Sequence, residues 1–146
     1  MNNFVIGWVK TVTDVFSKAK RSKVMSLIRG KENKATELAL IGLFKNSHIT
    51  GWRRNQKLFG KPDFVFKKEG IAVFVDGCFW HGCPIHETVP KTNMLFWVKK
   101  INTNKKRDKK VNLYLRRNGW KVVRIWQHEI KKLHSKKLLQ KALGLH

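Results

Sequence analysis

The chain has 146 residues, of which 32 are Lys or Arg and 9 are Asp or Glu, and its formal net charge is +23. The 42% hydrophobic content, with 6 Trp and 9 Phe, excludes a disordered polycation, because such chains lack the apolar residues that offset the entropy cost of folding. The length predicts one domain spanning residues 1–146. The uncompensated charge predicts a polyanionic partner, and nucleic acid is the first candidate.

Membrane association is not expected. The longest aliphatic or aromatic run, residues 71–75, is far shorter than the roughly 20 residues of a spanning helix. Residues 1–20 alternate apolar and polar side chains too often for a signal-peptide core, so we expect a cytoplasmic protein. Two cysteines, Cys78 and Cys83, are too few for a disulfide scaffold, and in a reducing compartment they favour metal binding.

The N-terminal half begins with a basic segment. Residues 1–30 have weak periodicity and are predicted to form an arm or short helices, with 1–20 loosely ordered or helical. A helix is predicted from Asn33, because apolar residues then recur at helical spacing as far as Phe44. That helix carries Glu37 near its start, where the helix dipole alone favours an acidic residue. Residues 52–54 are interpreted as a basic turn.

A hairpin of two strands is predicted next, over residues 63–66 and 71–76, because a polar loop ending in glycine separates two apolar runs. If the turn is tight and centred on Glu69 and Gly70, Asp63 lies opposite Asp76, with Cβ atoms about 4.5–5.5 Å apart. A longer turn shifts the register by a residue or two. In either register both acids lie at the same end of the hairpin.

The C-terminal half reads as helix, strand and helix. Thr92 can cap a helix, and a second helical stretch ends at Asn118 and Gly119, a common C-terminal signal. Residues 120–126 read as a strand, and a basic helix with four leucines follows. Helix, hairpin, helix, strand and helix in this order predict an α/β fold.

The loop after the second strand contains a metal-binding pattern. Cys78, Cys83 and His86 follow C-x4-C-x2-H spacing, and a structural zinc ion usually takes four protein ligands. His128, just after the last predicted strand, is the best candidate for the fourth. The alternative is two buried thiols beside surface histidines.

A second, catalytic metal is predicted at the acidic end of the hairpin. Carboxylates that converge from neighbouring strands, here Asp63 and Asp76, suit Mg2+, which polarises a phosphate and activates water. His81 is predicted to act as a base or to hold the phosphate, and Glu37 to orient the metal-bound water. The alternatives are that Asp63 ends a turn and that His81 is a buried, hydrogen-bonded histidine.

The adjacent aromatics Phe79 and Trp80 are predicted to contact DNA. Neighbouring residues cannot share one face of a strand, so a core position for both is awkward. Apolar wedges inserted between bases deform a duplex, and stacking is worth about 1–3 kcal/mol per base. Trp97 and Met25 could act in the same way. Each of the four fits a core when taken alone, but as a set within basic sequence they favour intercalation.

Several motifs, in order from about residue 20 to residue 130, resemble the very short patch repair (Vsr) DNA mismatch endonucleases. The resemblance implies the PD-(D/E)xK restriction-endonuclease-like fold, a three-layer core whose central mixed sheet is flanked by helices, with a zinc-stapled loop. It also implies a strand-specific, Mg2+-dependent nick 5′ of the thymine in T:G mismatches that arise from deaminated 5-methylcytosine. The matching motifs are Arg21-Ser22-Lys23-x-Met25, Glu37, Gly60-Lys61-Pro62-Asp63, Asp76-Gly77-Cys78-Phe79-Trp80-His81, Pro90-x-Thr92, Phe96-Trp97, Arg107-Asp108, Gly119-Trp120 and Trp126.

The resemblance implies roles for individual residues. Asp63 matches the metal-binding aspartate, and Val75 the residue whose backbone carbonyl helps to hold Mg2+. His81 matches the catalytic histidine and Glu37 the supporting glutamate. The matches at DNA-binding positions are Phe79, Trp80 and Trp97 in the major groove, Met25 in the minor groove, and the flanking Arg21 and Lys23.

The sequence also departs from the family pattern. Asp76 stands where the best-known pattern has histidine, and the lysine of the superfamily motif is absent after it. His128 replaces a cysteine of the zinc set, which leaves the fourth ligand open. Alternative functions are a restriction-type, site-specific endonuclease on the same fold and a non-catalytic, zinc-stapled DNA-binding module. We expect a nucleoid-associated monomer whose partners are T:G-mismatched duplex DNA and, as further candidates, other mismatch-repair proteins.

Overall fold

The computed structural model describes residues 17–86 and 89–145, so most of the predicted arm lies outside the described residues. Within those residues a mixed sheet combines with helices, which confirms the predicted α/β class. None of the described helices is long and apolar enough to cross a membrane. The elements are α1 Lys18–Asn46, β1 Trp52–Arg53, β2 Phe64–Phe66, β3 Ile71–Asp76, α2 Met94–Arg117, β4 Lys121–Trp126, a 3-10 helix Gln127–Lys132 and α3 Lys136–Leu143.

The sheet is the middle of three layers. Its strand order is β1-β2-β3-β4, with antiparallel pairing up to β3 and parallel pairing of β3 with β4. One face packs against α1 and α3 in a core that includes Val123, and the other face packs against α2 in a cluster that includes Val122. Both faces of β4 are therefore covered by helices, which explains why two adjacent positions in this strand both carry apolar residues. This arrangement is consistent with a restriction-endonuclease-like fold.

The helices are longer than the sequence pattern indicates. Helix α1 begins after Ser17, whose side chain accepts a hydrogen bond from the backbone N–H of Lys20, and not at Asn33. Residues 18–32 contain no proline and one glycine, so helix propensity continues the helix where apolar periodicity is weak. For the same reason the two helical stretches predicted after Thr92 form one helix, α2, whose N-cap position is held by Asn93 and not by Thr92, without a side-chain capping hydrogen bond.

Two shorter elements also differ. The basic turn predicted at residues 52–54 contains the short edge strand β1. The last predicted helix divides into the 3-10 helix and α3, and Ser135 caps α3 by accepting from the backbone N–H of Leu138. The division places residues 127–132 directly after β4, where they turn back towards the loop that follows β3.

The tight-turn register of the hairpin is wrong by two residues. Phe64 pairs with Val73, whereas a turn centred on Glu69 and Gly70 would pair it with Val75. Four residues, 67–70, connect the strands and cause the shift. Asp63 therefore does not lie opposite Asp76, and its backbone N–H donates to the carbonyl of Val73 at 2.9 Å. A shift of two residues leaves each side chain on the same face of the sheet as the tight-turn register would.

Candidate active site

The polar residues predicted to carry the chemistry gather at one edge of the sheet. Strands β3 and β4 are parallel, so the segments that follow them leave the sheet at the same edge. Strand β2 is antiparallel to β3, so Asp63, just before β2, lies at that edge too. Asp76 ends β3, and His81 and His128 lie on the segments that follow β3 and β4.

Asp63 and Glu37 form a close pair of carboxylates. The Oδ2 atom of Asp63 accepts a hydrogen bond of 2.7 Å from the backbone N–H of Val75. Burial raises the pKa of Asp63 to about 6, although the bond from Val75 acts to lower it. The charges of Glu37 and Asp76 and a hydrogen bond with Glu37 also contribute to this rise in pKa. Crowded carboxyl oxygens of this kind are a donor set that fits Mg2+.

Arg54, just after β1, is an unpredicted part of this region. Its guanidinium forms a hydrogen-bonded ion pair with Glu37. A cleft of about 530 Å³ lies beside the pair, and its lining includes Asp63, Lys57 and Lys61. The carboxylates thus lie next to cations that can bind a phosphate backbone.

Asp76 is buried and engaged by Arg124 of β4. The Nη1 atom of Arg124 donates to both carboxylate oxygens, at 2.7 and 2.9 Å, and only 3% of Asp76 is exposed. Asp76 therefore already has an ion-pair partner, which the sequence pattern did not indicate. Binding of Mg2+ by Asp76, or its participation in catalysis, would compete with this ion pair.

His81 has a carboxylate partner on α2. Its Nδ1 atom lies 2.6 Å from Oδ2 of Asp108 and 3.7 Å from Oδ1 of Asp76. Burial opposes ionisation of Asp108, but the hydrogen bond and charge of His81 and the charges of Arg124 and Arg107 outweigh it, and they hold the pKa of Asp108 below its usual value. An ionised carboxylate only accepts hydrogen bonds, so Nδ1 carries the hydrogen and Nε2 is left for proton transfer.

The predicted zinc ligands come together. One ligand atom from each of Cys78, Cys83, His86 and His128 lies within 4.8 Å of the other three. The Nδ1 atom of His128 is 3.2 Å from Cys78 Sγ and 3.6 Å from Cys83 Sγ, and Cys83 Sγ is 3.7 Å from His86 Nδ1. Tetrahedral zinc with ordinary bond lengths separates such ligand atoms by about 3.4–3.8 Å. The group could hold a metal ion, and its donors and spacing suit zinc.

Local backbone geometry builds this group. The backbone N–H of Cys83 donates to the carbonyl of Cys78 at 2.9 Å, which folds the loop so that both thiols face the same point. Glu129 accepts from the backbone N–H of Trp126 at 3.1 Å and so fixes the start of the 3-10 helix that carries His128. Burial and the neighbouring Cys83 raise the pKa of the Cys78 thiol, so a bound metal ion must displace its proton.

Three aromatic residues predicted to contact DNA form one cluster. Phe79 lies 5.0 Å from Trp80 and 5.3 Å from Trp97 between ring centroids, in edge-to-face geometry. Trp80 is buried, and its carbonyl accepts a 2.8 Å hydrogen bond from the side-chain amide of buried Asn104. Phe79 and Trp97 are partly exposed, and Phe96 beside them is exposed. The cluster thus offers an apolar surface with Trp80 as its base.

The remaining predicted DNA contacts lie on α1. Met25 is partly buried and Lys23 is exposed, while the side chain of Arg21 lies outside the described residues. Three polar residues at the site, Asp108, Arg124 and Arg54, were not predicted from the sequence. Asp108 belongs to a motif of the family resemblance, which gives it no role, and no local spacing marks the other two.

Comparisons with known proteins place the chain in a family. The sequence model of DNA mismatch endonuclease Vsr matches residues 13–87. The type II nicking enzyme V.NmeAIP of Neisseria meningitidis is 40% identical over 122 residues, which cover 82% of this chain and 86% of that protein. DNA mismatch endonuclease Vsr of Escherichia coli is 35% identical over 118 residues, which cover 80% of this chain and 74% of that one.

A further relative matches more closely over a shorter segment. The type II nicking enzyme V.NaeI of Lentzea aerocolonigenes is 51% identical over 69 residues, 47% of this chain and 42% of that protein. The matching segment spans less than half of that relative. With the longer matches, these similarities show that the chain belongs to the Vsr family of DNA mismatch endonucleases, which are hydrolases of phosphodiester bonds.

Proposed function

We propose that this protein nicks one strand of duplex DNA 5′ of the thymine in a T:G mismatch, by Mg2+-dependent hydrolysis. The observation that carries the proposal is the placement of the His81–Asp108 pair at the sheet edge that also holds Asp63 and Glu37. A relative that covers most of the chain is named a DNA mismatch endonuclease, which supports the substrate class.

The residues proposed to hold Mg2+ are Asp63 and the backbone carbonyl of Val75, with Glu37 placed to orient water. When bound, the ion polarises the phosphate and favours ionisation of water. Asp63 is the fixed member of this set, because the backbone N–H of Val75 holds one of its oxygens. Glu37 is held by Arg54 on its other side, so its carboxylate has a defined orientation before substrate arrives.

His81 is proposed to move the proton. With Nδ1–H bonded to Asp108, the Nε2 atom can accept a proton from the attacking water or donate a hydrogen bond to the phosphate once protonated. Asp108 keeps the ring in one tautomer and orientation, and its lowered pKa keeps it ionised at neutral pH. Lys57 and Lys61 in the adjacent cleft are proposed to bind the flanking phosphates.

Selectivity for the mismatch is proposed to come from the aromatic cluster. Opening the stack at a mispaired base costs less free energy than at a matched pair, so a wedge enters the mismatch more readily. Phe79 and Trp97 are partly exposed and suited to this contact. Wedging by Trp80, which is buried, would require the cluster to open.

Replacing Phe79 by Ala is expected to weaken binding to a T:G duplex by about 10-fold, because one stacking contact of about 1–3 kcal/mol is lost. Binding to matched duplex, which rests on phosphate contacts, should change little. Fluorescence anisotropy with both duplexes measures the two affinities. Phe59 to Ala, at an exposed ring that contacts Tyr114, is the matched control. An equal loss for both duplexes would contradict the wedge.

At limiting Mg2+, the nicking rate is expected to rise as the pH increases through about 6, because the partly buried Asp63 must ionise before it binds the ion. Saturating Mg2+ favours the ionised carboxylate and should move this rise to lower pH. Single-turnover rates from pH 5 to 8 at two Mg2+ concentrations measure the effect. A midpoint that is independent of Mg2+ would show that Asp63 does not bind the ion.

The decisive test compares nicking of one labelled oligonucleotide duplex that carries either T:G or matched C:G at the same position. We expect cleavage of the thymine strand of the T:G duplex only, and only with a divalent cation. Equal cleavage of both duplexes would favour the second candidate, a site-specific nicking enzyme. That candidate is considered because V.NmeAIP and V.NaeI are named type II nicking enzymes. Tight binding without cleavage would favour a non-catalytic DNA-binding module.

A further inference from the structure

The guanidinium of Arg124 lies between the two carboxylates that flank His81. Its Nη1 atom donates to both oxygens of Asp76, and its Nη2 atom is 3.4 Å from Oδ1 of Asp108. The other oxygen of Asp108 receives Nδ1–H of His81 at 2.6 Å. One cation from β4 thus connects the end of β3 with α2 and with the imidazole.

The guanidinium is held in a fixed plane. Its Nε–H donates to the side-chain oxygen of Asn112 at 2.9 Å, and its Cζ atom lies 4.5 Å from the ring centroid of Phe74. The side chain of Arg124 is 18% exposed. The three nitrogen atoms of the guanidinium, Nη1, Nη2 and Nε, therefore face Asp76, Asp108 and Asn112 respectively. A lysine at this position could supply the charge but not the planar set of donors.

Asp76 is a potential competitor for His81. Its Oδ1 atom lies 3.7 Å from His81 Nδ1, only about half an ångström beyond hydrogen-bond distance. Without Arg124, a buried carboxylate with no counter-ion would face the imidazole, and the ring would have two acceptors for one N–H. Leaving a buried charge unpaired is costly, which would drive Asp76 towards His81 or towards the metal ion.

We propose that Arg124 is a positioning residue for strand cleavage: it binds Asp76 as a counter-ion and leaves Asp108 as the partner that orients His81. The inference rests on the proposed nuclease function. It assigns Asp76 a role outside the Mg2+ ligands, in contrast to the expectation from sequence. Asp76 on β3 and Arg124 on β4 form one ion pair. The loss of activity caused by removing the charge of Arg124 should therefore be partly restored by also removing the charge of Asp76.

The activity test uses Arg124→Gln, Arg124→Lys, Asp76→Asn and the double variant Asp76→Asn/Arg124→Gln in the full chain. Arg124→Gln should reduce the single-turnover nicking rate by about 10²-fold, because a displacement of about 1 Å at a catalytic group has effects of this size. Affinity for the T:G duplex should change less than about 3-fold, since the guanidinium of Arg124 is engaged by Asp76, Asp108 and Asn112 and is not proposed to bind a phosphate. The double variant should nick about 10-fold faster than Arg124→Gln, because the competing charge is gone.

A second readout does not depend on activity. In proton–nitrogen NMR spectra, the Nδ1–H signal of His81 should be protected from exchange in the wild type and lost in Asp108→Asn. It should be weakened in Arg124→Gln and recovered in the double variant. If the wild type fails to nick T:G duplexes but shows this pattern, the proposed function is wrong and the positioning role stands. An exchange-protected signal unchanged in Arg124→Gln would overturn the positioning role.

Three further outcomes overturn the inference. The first is an Arg124→Gln variant with a wild-type unfolding temperature and a wild-type nicking rate. The second is a parallel loss of DNA affinity and rate, which would make Arg124 a phosphate contact. The third is an Asp76→Asn variant that needs as much additional Mg2+ as a variant of Asp63, which would make Asp76 a metal ligand. If Arg124→Gln does not fold, Arg124→Lys and the double variant carry the same comparisons.

Discussion

Replacing Asp63 by Asn is expected to reduce the nicking rate by at least about 10³-fold while affinity for the T:G duplex stays within about 3-fold of wild type. A catalytic metal ion contributes several kcal/mol to stabilising the transition state, and each 1.36 kcal/mol is a factor of ten in rate. Asn retains an oxygen that can accept from the backbone N–H of Val75, so the local fold should persist. Single-turnover nicking and fluorescence anisotropy measure the two quantities.

The same substitution should stabilise the protein when Mg2+ is absent. The folded chain raises the pKa of Asp63 to about 6, mainly by burial, so ionising this carboxyl near neutral pH opposes folding. The native state binds the proton more tightly than the unfolded state, and stability falls as pH rises from about 4 to above 6. Removing the charge should therefore raise the free energy of unfolding at pH 7.5 by about 1–3 kcal/mol.

Glu69 to Gln, at an exposed acid on the hairpin turn, is the matched control and should change neither activity nor stability. Thermal unfolding with and without Mg2+ measures stability. Adding Mg2+ should stabilise the wild type and leave Asp63→Asn unchanged. A variant that keeps its fold and still nicks at more than a tenth of the wild-type rate would remove Asp63 from the metal centre.

The residues predicted to bind metal were easier to identify from local sequence than the residues that form ion pairs and hydrogen bonds with the site. The ligand group formed by Cys78, Cys83 and His86 lies within nine residues, and His128 was found because it follows the last strand. Asp108 and Arg124 could not be identified in this way, because they reach the site from α2 and from the middle of β4. With 32 Lys and Arg residues in the chain, one partly buried arginine has no distinguishing local signal.

The hairpin and α1 show a second limit. The apolar runs located β2 and β3, whose residues are all buried, but the register depended on the length of the connection, which the runs do not determine. In α1, the basic first half lacks an apolar stripe, so periodicity located only the part that packs on the sheet through Leu40 and Phe44. Helix propensity, a weaker signal, extends the helix to Lys18.

The few acidic residues of this basic chain are concentrated at the candidate active site. Four of the nine acids, Glu37, Asp63, Asp76 and Asp108, lie at one edge of the sheet. Glu37 and Asp76 are each paired with an arginine, whereas Asp63 has a carboxylate neighbour and a raised pKa. Within the part of the chain that the structure describes, an arginine thus pairs with Glu37 and another with Asp76, and Asp63, for which no such ion pair is found there, is the acid proposed to hold Mg2+.

Loss of the zinc group is expected to be more damaging to the fold than any change at the cleavage site. Three ligands lie on the loop after β3 and the fourth lies on the 3-10 helix after β4, so the ion would link two segments that are far apart in the sequence. Structural zinc in small peptides contributes about 10–16 kcal/mol of apparent binding free energy, which is folding free energy. The same loop carries Phe79 and His81.

Cys83 to Ser, at a thiol that is 0% exposed, should therefore abolish bound zinc, lower the unfolding temperature by more than about 10 °C and abolish nicking. Elemental analysis should find about one zinc per wild-type chain. His128 to Asn should show a smaller loss of the same kind, because three ligands remain. His134 to Asn, at an exposed histidine outside the group, should resemble wild type. A zinc-free Cys83 variant with a wild-type unfolding temperature and full nicking activity would show that the cluster is two buried thiols beside histidines.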